Sequence, residues 1–282
     1  MNNTQLNRIV STLIIFLFIA TSTSYAHDGP NIHVSDKWKE CSIQLDPSLT
    51  QDAWHQFTQE AGIMTVFNPL TSAQSLGKWN FDIGLSLANY PIDDEDAAWN
   101  DTFVHPDSTH WLIGEDGHPY PEDANALMLP LLLFRLGITD NIDIGFFYFS
   151  VPDANYGFRG GQVQYNFLNN EEKNLSAAAR VSVGQLINVD DLNLNTYSVD
   201  VVATKDFSSL ISFAGLSGYA GLSGYLVRSH EKTSVVDLDD ENVLGFQGNV
   251  GINTLLFSHL KIGAQLTVGD LIFPSFSIGF AR

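Results

Sequence analysis

The stretch 260–280, LKIGAQLTVGDLIFPSFSIGF, decides the fold class because its apolar side chains recur at every second position. The first half sets apolar residues against small, polar or basic ones: Leu260, Ile262, Ala264, Leu266 and Val268 against Lys261, Gly263, Gln265 and Thr267. The second half does the same: Phe276, Ile278 and Phe280 against Ser275, Ser277 and Gly279. Successive side chains of a β-strand point to opposite faces, so this stretch predicts two strands, each with one apolar face.

The same alternation recurs in eight segments nearer the N-terminus, which brings the predicted strands to ten. The segments are 79–88, 127–139, 141–150, 158–168, 173–186, 192–205, 211–228 and 243–256, followed by 258–268 and 274–280. The phase of 211–228 stays open because its repeat GLSGYAGLSGY allows either face to be apolar. Alternating segments in even number are typical of an antiparallel transmembrane β-barrel, although a soluble β-sandwich also alternates.

The connections between these segments favour the barrel. Long and short connections mainly alternate along the chain, with two of modest length in the middle. The first, at about 89–126, is long, and the second, at 139–141, is short. Long connections at one end and tight turns at the other are typical of outer-membrane barrels. The even strand number predicts that both chain ends lie on the tight-turn, periplasmic side.

Composition excludes several classes of function. The 282 residues include 13 Lys and Arg against 32 Asp and Glu, a formal net charge of −19. Nucleic acid is therefore excluded as a partner, because its phosphates require a basic patch. A single cysteine excludes a disulfide within the chain, and no zinc-binding spacing occurs.

The N-terminus predicts export. Residues 1–26 resemble a secretory signal, with Arg8 before the apolar run 9–20 and a small-residue site ending at Ala26. Residues 27–78 do not alternate and form a predicted N-terminal periplasmic or plug segment. Within it, Leu49 to Gly62 predicts a short helix capped by Ser48, at the periplasmic mouth or inside the barrel. Residues 79–282 form the predicted barrel.

The polar face of the predicted strands carries three acids and three bases. They are Asp82, Arg135, Asp143, Arg180, Asp200 and Lys261. Charges inside a narrow barrel must be paired or hydrated, so these residues predict an ion-pair network in the lumen. A polar permeation path is the alternative, which ten strands disfavour because small barrels are filled by their own side chains.

The predicted outward connections hold more than half of the acids. The densest runs are Asp93, Asp94, Glu95 and Asp96, and Asp237, Asp239, Asp240 and Glu241. Carboxylates are the ligands that Ca²⁺ and Mg²⁺ prefer, so these runs are candidate cation sites, although neither has EF-hand spacing. A solvated acidic surface is the simpler interpretation, and no other cofactor is indicated.

The first connection also holds His105, Asp107, Ser108 and His110 within six residues. A nucleophilic serine needs a histidine within hydrogen-bond reach and an acid that orients it. The cluster therefore suggests an outer-leaflet lipid-modifying enzyme, an acyl hydrolase or transferase, as an alternative function. No G-x-S-x-G elbow is present, and turn or surface roles are the ordinary interpretation of such residues.

The signal segment, the ten alternating segments and the Phe-rich last strand together resemble bacterial outer-membrane β-barrel proteins, a family without an assigned activity. The stretches Pro91–Pro106 (PIDDEDAAWNDTFVHP) and Asn155–Gln164 (NYGFRGGQVQ) carry the more specific part of this resemblance. It implies a Gram-negative outer-membrane location, contact with membrane lipid and lipopolysaccharide, and assembly by the barrel-insertion machinery. It implies no catalytic residues.

We therefore expect a ten-stranded outer-membrane barrel with acidic outer connections and a mostly filled polar lumen. Its expected role is structural, binding, or slow passage of small solutes. The lipid-modifying enzyme and a soluble periplasmic β-protein are the alternatives. The sequence leaves the oligomeric state open.

Overall fold

The computed structural model describes residues 42–68, 71–93, 96–104, 127–150, 155–208 and 214–282. A two-stranded-sheet strand and a helix precede the first of ten long strands, and a short helix and a short strand lie in the chain between the first and the second long strand. In chain order the elements are β1 (Ser42–Ile43), α1 (Gln51–Met64), β2 (Phe81–Tyr90), α2 (Ala97–Asn100), β3 (Phe103–Val104), β4 (Leu127–Gly137), β5 (Ile142–Ser150), β6 (Gly157–Asn170), β7 (Leu175–Ile187), β8 (Leu192–Asp206), β9 (Ala214–Glu231), β10 (Glu241–Leu256), β11 (Leu260–Val268) and β12 (Ile272–Ala281).

The ten long strands form one closed barrel, so the predicted fold class is confirmed. Each strand pairs antiparallel with its neighbour in the chain, and β12 closes the barrel by pairing with β2. The remaining strands, β1 and β3, pair with each other in a separate two-stranded sheet. No described helix is long and apolar enough to cross a membrane.

Alternation places the predicted faces as expected. Arg180 on the inner face of β7 is 1% exposed, whereas its neighbour Val181 on the outer face is 56% exposed. The structure also fixes the phase of β9, where Tyr219 and Tyr225 point inward and Leu222 outward. The aromatic residues of that repeat therefore line the lumen.

The lumen differs from the expected polar interior in its half next to the long connections. There the inner face of β4 is apolar, with Leu127, Leu129, Leu131 and Leu133 all buried. These leucines belong to the same hydrophobic core as the buried face of helix α1. A buried hydrogen bond between Thr58 and Ser229 lies near the same end, so this half also contains polar groups.

Two boundary expectations were wrong. The helix begins at Gln51 with Thr50 as its N-cap, and it continues to Met64 instead of stopping at Gly62. Ser42 lies at the end with the long connections, because β1 pairs with β3 within the first of them. The rule that both chain ends share the tight-turn side therefore does not hold for the N-terminal part, which crosses the lumen before β2 begins.

Candidate functional site

The lumen is occupied by residues 51–68 and 71–78 of the same chain, and these residues, the lumen segment, are the candidate site. Its upper half is helix α1, which lies near the long connections. The Thr50 side chain accepts a hydrogen bond from Ala53 N at 3.3 Å, which satisfies a free N–H of the first turn. The side chains of Trp54 and Phe57 are fully buried between the helix and the wall. Burial of this apolar face holds the helix in the barrel.

Helix α1 is also attached to the short helix α2 of the first connection. The rings of Phe57 and Trp99 meet edge to face with centroids 5.2 Å apart. Trp99 Nε1 donates a hydrogen bond to the Glu60 carboxylate, and Gln56 Nε2 donates to Asp96 at 2.9 Å. The first connection thus folds onto the top of the lumen segment.

Glu60 is the titratable group that this packing perturbs. Burial raises the pKa of Glu60 above its ordinary value, and the charges of Asp96 and Asp93 act in the same direction, against the hydrogen bonds from Trp99 and Gln56. Removal of its carboxylate from water penalises the ionised form.

We expect Glu60→Gln to make stability less dependent on pH. Below the ordinary glutamate pKa the carboxyl is protonated in both the folded and the unfolded state, so it carries no penalty. As the pH rises through that value to the raised folded pKa, the wild type loses stability that the glutamine variant keeps. Urea unfolding at several pH values should show a difference at neutral pH that vanishes in acid. Asp52→Asn removes the same charge from an exposed position of α1, and it should not show this dependence of stability on pH.

Two glycines allow the lumen segment to touch the wall. A Cβ on Gly184 would lie 1.9 Å from the Thr65 carbonyl oxygen, and one on Gly137 would lie 1.9 Å from the Gly77 carbonyl oxygen. A side chain at either position requires the backbone of the segment to move away. Gly184 and Gly137 therefore mark two points on the path of the segment.

We expect Gly184→Ala to destabilise the protein by ~1–3 kcal/mol, the usual cost of forcing extra atoms into a packed interior. Gly161→Ala is the matched control, since its added Cβ would find its nearest neighbours at 3.5 Å, an ordinary contact. Urea unfolding in detergent measures both. Equal effects of the two substitutions would contradict the close approach of the segment at Gly184.

The lower half of the segment is extended, and the wall binds its backbone. Arg180 Nη2 donates to the carbonyl oxygens of Thr71 at 2.5 Å and Ser72 at 3.0 Å. The Ala73 carbonyl accepts from Asn166 Nδ2 at 2.8 Å, and Ala73 N donates to Thr204 Oγ1 at 2.8 Å. The wall thus replaces the backbone partners that a strand or helix would supply.

The Asp143 carboxylate lies at the centre of these contacts. It accepts hydrogen bonds from Ser75 Oγ at 3.0 Å and Leu76 N at 3.2 Å. Its other oxygen faces Arg135 Nη2 at 3.0 Å in an ion pair that is almost fully buried. One side chain therefore binds both the wall and the lumen segment.

The remaining charges of the predicted network are placed differently. Lys261 forms an ion pair with Asp82. Asp200 is the direct cross-strand partner of Arg180, and it is 1% exposed, but neither of its oxygens accepts a hydrogen bond of normal geometry. The guanidinium of Arg180 is turned instead towards the carbonyls of the segment. The six charges thus form two direct ion pairs. In the third combination, Arg180 and Asp200, the arginine binds the segment instead of the carboxylate.

A second polar group fixes the segment on the opposite wall. Gln265 Nε2 donates to Asn68 Oδ1 at 2.5 Å and to Asn249 Oδ1 at 3.0 Å. Tyr219 Oη donates to Gln265 Oε1 at 3.1 Å. The amide side chains therefore continue the polar attachment around the barrel.

One small cavity lies between the segment and the wall. It has a volume of about 20 Å³ and is lined by Asp82, Arg135 and Lys261 together with Phe67 and Thr71 of the segment. That volume is about what one water molecule needs, so this cavity has no room for a hydrated solute.

The predicted metal-binding runs serve other purposes where they are described. Glu241 accepts a hydrogen bond from Gln51 Nε2 at 2.5 Å and lies 2.8 Å from His55 Nδ1. Asp96 caps α2 by accepting from Ala98 N at 3.1 Å. Among the described residues, no three His, Cys, Asp or Glu side chains come together as a metal site would need. Asp94 and Glu95 lie outside the described residues.

Two other residues of the second acidic run contact neighbouring side chains. Asp240 pairs with His230 at 2.6 Å, and the Asp239 carbonyl accepts from Trp54 Nε1 at 3.2 Å. The candidate catalytic residues His105, Asp107, Ser108 and His110 lie outside the described residues.

Sequence reasoning missed the residues that bind the segment without a charge. Gln164, Asn166 and Thr204 all lie on the predicted polar faces, yet nothing in the alternation shows that they bind backbone. Their amide and hydroxyl types on the inner face were the available signal, and Gln164 lies directly opposite Arg180 in the sheet.

The outer face of the barrel is apolar around its circumference. Exposed aliphatic and aromatic side chains occur on most of the strands, including Phe146, Val199, Leu222, Phe246 and Phe276. Trp79 and Phe257 add exposed rings near the tight turns. An apolar band flanked by aromatic residues on an even-stranded closed barrel is typical of outer-membrane proteins. The chain has the fold of an outer-membrane β-barrel.

Comparisons with known proteins find distant similarities in solved structures. No family model matches the chain, and no curated protein matches its sequence. Similar solved structures include the N-terminal β-barrel domain of Pseudomonas aeruginosa OprF (10% identity, 73% of this chain and 99% of that one, TM-score 0.28). Ail, the attachment invasion locus protein of Yersinia pestis, has 11% identity over the same shares and a TM-score of 0.27. Pseudomonas putida OprB has 8% identity over 73% of this chain and 94% of that one, with a TM-score of 0.25. At these scores the fold rests on the strand pairing of this chain.

Proposed function

We propose that this protein is a closed outer-membrane barrel of Gram-negative type, a scaffold that presents an acidic surface at the end with the long connections and does not conduct solutes. The observation that carries the proposal is the lumen segment, which fills the barrel from one end to the other. Five of the six lumen charges that a channel would offer to ions are instead bound to the segment or to each other. The structural or binding role expected from the sequence is favoured over slow passage of solutes.

The outer face supports the membrane part of this proposal. An apolar patch that surrounds a whole barrel exceeds what a soluble protein exposes, so membrane lipid and lipopolysaccharide are its proposed surroundings. The barrel-insertion machinery is the proposed assembly partner after cleavage of the signal near Ala26. A soluble periplasmic protein would be extracted without detergent and would migrate identically on gels with and without heating.

Conductance in planar bilayers tests the closed lumen. We expect the refolded mature protein to give no stable open steps, and a variant lacking residues 27–78 to give them, once heat-modifiable migration shows that both are folded. Stable steps in the mature protein would overturn the proposal. Silence from both folded proteins would leave a closed barrel but would remove the lumen segment as the cause of closure.

The enzyme alternative has a separate test. Ser108→Ala should leave the acyl content of lipid A and phospholipid unchanged in cells that express the protein, because the proposed scaffold performs no chemistry. Loss of an acyl-transfer or hydrolysis product in this variant alone would instead establish the lipid-modifying function.

A further inference from the structure

A row of polar side chains crosses the outer face of five neighbouring strands near the end with the long connections. The strand pairing places Arg159 of β6 beside Gln185 of β7. Asn195 of β8 lies between Gln185 and Arg228 of β9, and Asn242 of β10 lies beside Arg228. These five residues, one from each strand, form the outer polar row.

The outer polar row borders the apolar band of the outer face. Two residues further towards the tight turns, the same face carries Val183, Tyr197 and Leu244, all of them exposed. On β5 the row is continued by Tyr148, which pairs with Arg159 and is also exposed. Tyrosine rings are favoured at the level of the lipid headgroups. On the proposed membrane barrel, the row therefore lies where the apolar band meets the headgroups.

The row carries two positive charges and no carboxylate, in a chain with 13 Lys and Arg against 32 Asp and Glu. Arg159 is oriented by Gln185, whose Oε1 accepts from Arg159 Nε at 3.1 Å and from Nη2 at 2.8 Å. Arg228 is exposed and forms no ion pair or side-chain hydrogen bond with any residue that the structure describes. A guanidinium has five N–H donors, so both arginines keep donors for a ligand outside the chain.

Phosphate is the ligand that suits these donors. A planar guanidinium binds a phosphate through two parallel hydrogen bonds, and within the row no carboxylate competes for it. The amides between the arginines add uncharged donors, because neither Gln185 Nε2 nor the Asn195 side chain donates to another described residue. The row thus offers charged and neutral N–H groups to one phosphorylated headgroup.

The spacing of the two arginines favours a headgroup with two phosphates. Neighbouring strands lie ~4.8 Å apart, so Arg159 on β6 and Arg228 on β9 are separated by roughly 14 Å along the row. Two positive charges at this separation match two separate phosphates better than a single one. Lipid A, the membrane anchor of lipopolysaccharide, is a disaccharide with a phosphate at each end.

We infer that the outer polar row is a binding site for lipopolysaccharide, in which Arg159 and Arg228 each bind one phosphate of lipid A. The inference rests on the proposed function, which places this end of the barrel in the outer leaflet. It adds a specific lipid contact to one side of the barrel, where the apolar band alone would accept any acyl chain.

Binding of purified lipids to the refolded mature protein in neutral detergent tests the inference. Native mass spectrometry measures the apparent Kd for bisphosphorylated lipid A, for monophosphorylated lipid A and for phosphatidylglycerol. The variants are Arg159→Gln, Arg228→Gln and the two combined. Lys205→Gln is the matched control, because it removes one exposed positive charge from the same outer face at the opposite end of β8. Heat-modifiable migration shows that each protein is folded.

We expect each single substitution to weaken the binding of bisphosphorylated lipid A by roughly tenfold, the usual effect of losing a charged hydrogen bond. The combined variant should lose more, and Lys205→Gln should bind as the wild type does. Monophosphorylated lipid A should bind the wild type about as weakly as bisphosphorylated lipid A binds a single variant.

Equal binding of bisphosphorylated lipid A by the wild type and the combined variant would overturn the inference. The same weakening with phosphatidylglycerol would also overturn it, since the row would then bind any lipid phosphate. Equal binding of the two forms of lipid A by the wild type would contradict the assignment of one phosphate to each arginine. These results leave the closed barrel intact, because conductance tests it separately, whereas extraction of the protein without detergent would refute the proposed function itself.

Discussion

Asp143→Ala is expected to destabilise the protein by ~3–5 kcal/mol, the usual cost of breaking one partner of a buried ion pair. The substitution leaves Arg135 charged and buried without its carboxylate, because Arg135 is 3% exposed. It also removes the acceptor for Ser75 Oγ and Leu76 N, so the lower part of the lumen segment loses its attachment at these two residues. Urea unfolding should show the loss, and planar bilayers should show open steps that the wild type lacks.

Two further variants separate these effects of Asp143. Asp140→Ala removes an exposed carboxylate of the adjoining tight turn and should change neither stability nor conductance. Arg135→Met with Asp143→Leu should recover most of the stability, because a buried pair replaced by apolar residues of similar size leaves no lone charge. The double variant should still conduct, since the segment remains unattached at Ser75 and Leu76. A closed double variant would show that Asp143 does not hold the segment.

The barrel was predictable from sequence because the direction of each side chain depends only on its position in its own strand. Alternation at every second position is imposed by strand geometry, so Phe276, Ile278 and Phe280 reveal their outward face without knowledge of any partner. Adjacent strands then placed Asp143 and Arg135 on one inner face. The phase of β9 was not predictable, because Tyr219 and Leu222 are both apolar enough to face lipid.

The path of the lumen segment was not predictable because its partners are backbone groups. The Thr71 carbonyl that Arg180 binds is chemically the same as every other carbonyl in the chain. Glu60 and Trp99 meet only because the first connection folds back over the barrel. The periodicity of a sequence reports which face is buried and does not report what lies opposite that face.

Arg180→Met is expected to cause the second large effect. It should destabilise the protein by ~3–5 kcal/mol, the usual cost of removing one member of a buried pair of opposite charges. The hydrogen bonds to the carbonyls of Thr71 and Ser72 are lost, and Asp200 keeps a buried charge with no base beside it. Methionine preserves much of the volume, so loss of packing contributes little. Urea unfolding measures stability, and the reactivity of a cysteine placed at Ser72, in a Cys41→Ser background, measures release of the segment.

Removal of the second charge distinguishes the two contributions of Arg180. Arg180→Met with Asp200→Asn should regain part of the stability, because the lone carboxylate is gone, while the cysteine at position 72 stays reactive because the carbonyls remain unbound. Arg159→Met, which removes an exposed arginine bound to Gln185, should affect neither measurement. A destabilised Arg180→Met variant with an unreactive cysteine would mean that Arg180 only balances Asp200. Its two short contacts with the segment would then not be what closes the lumen.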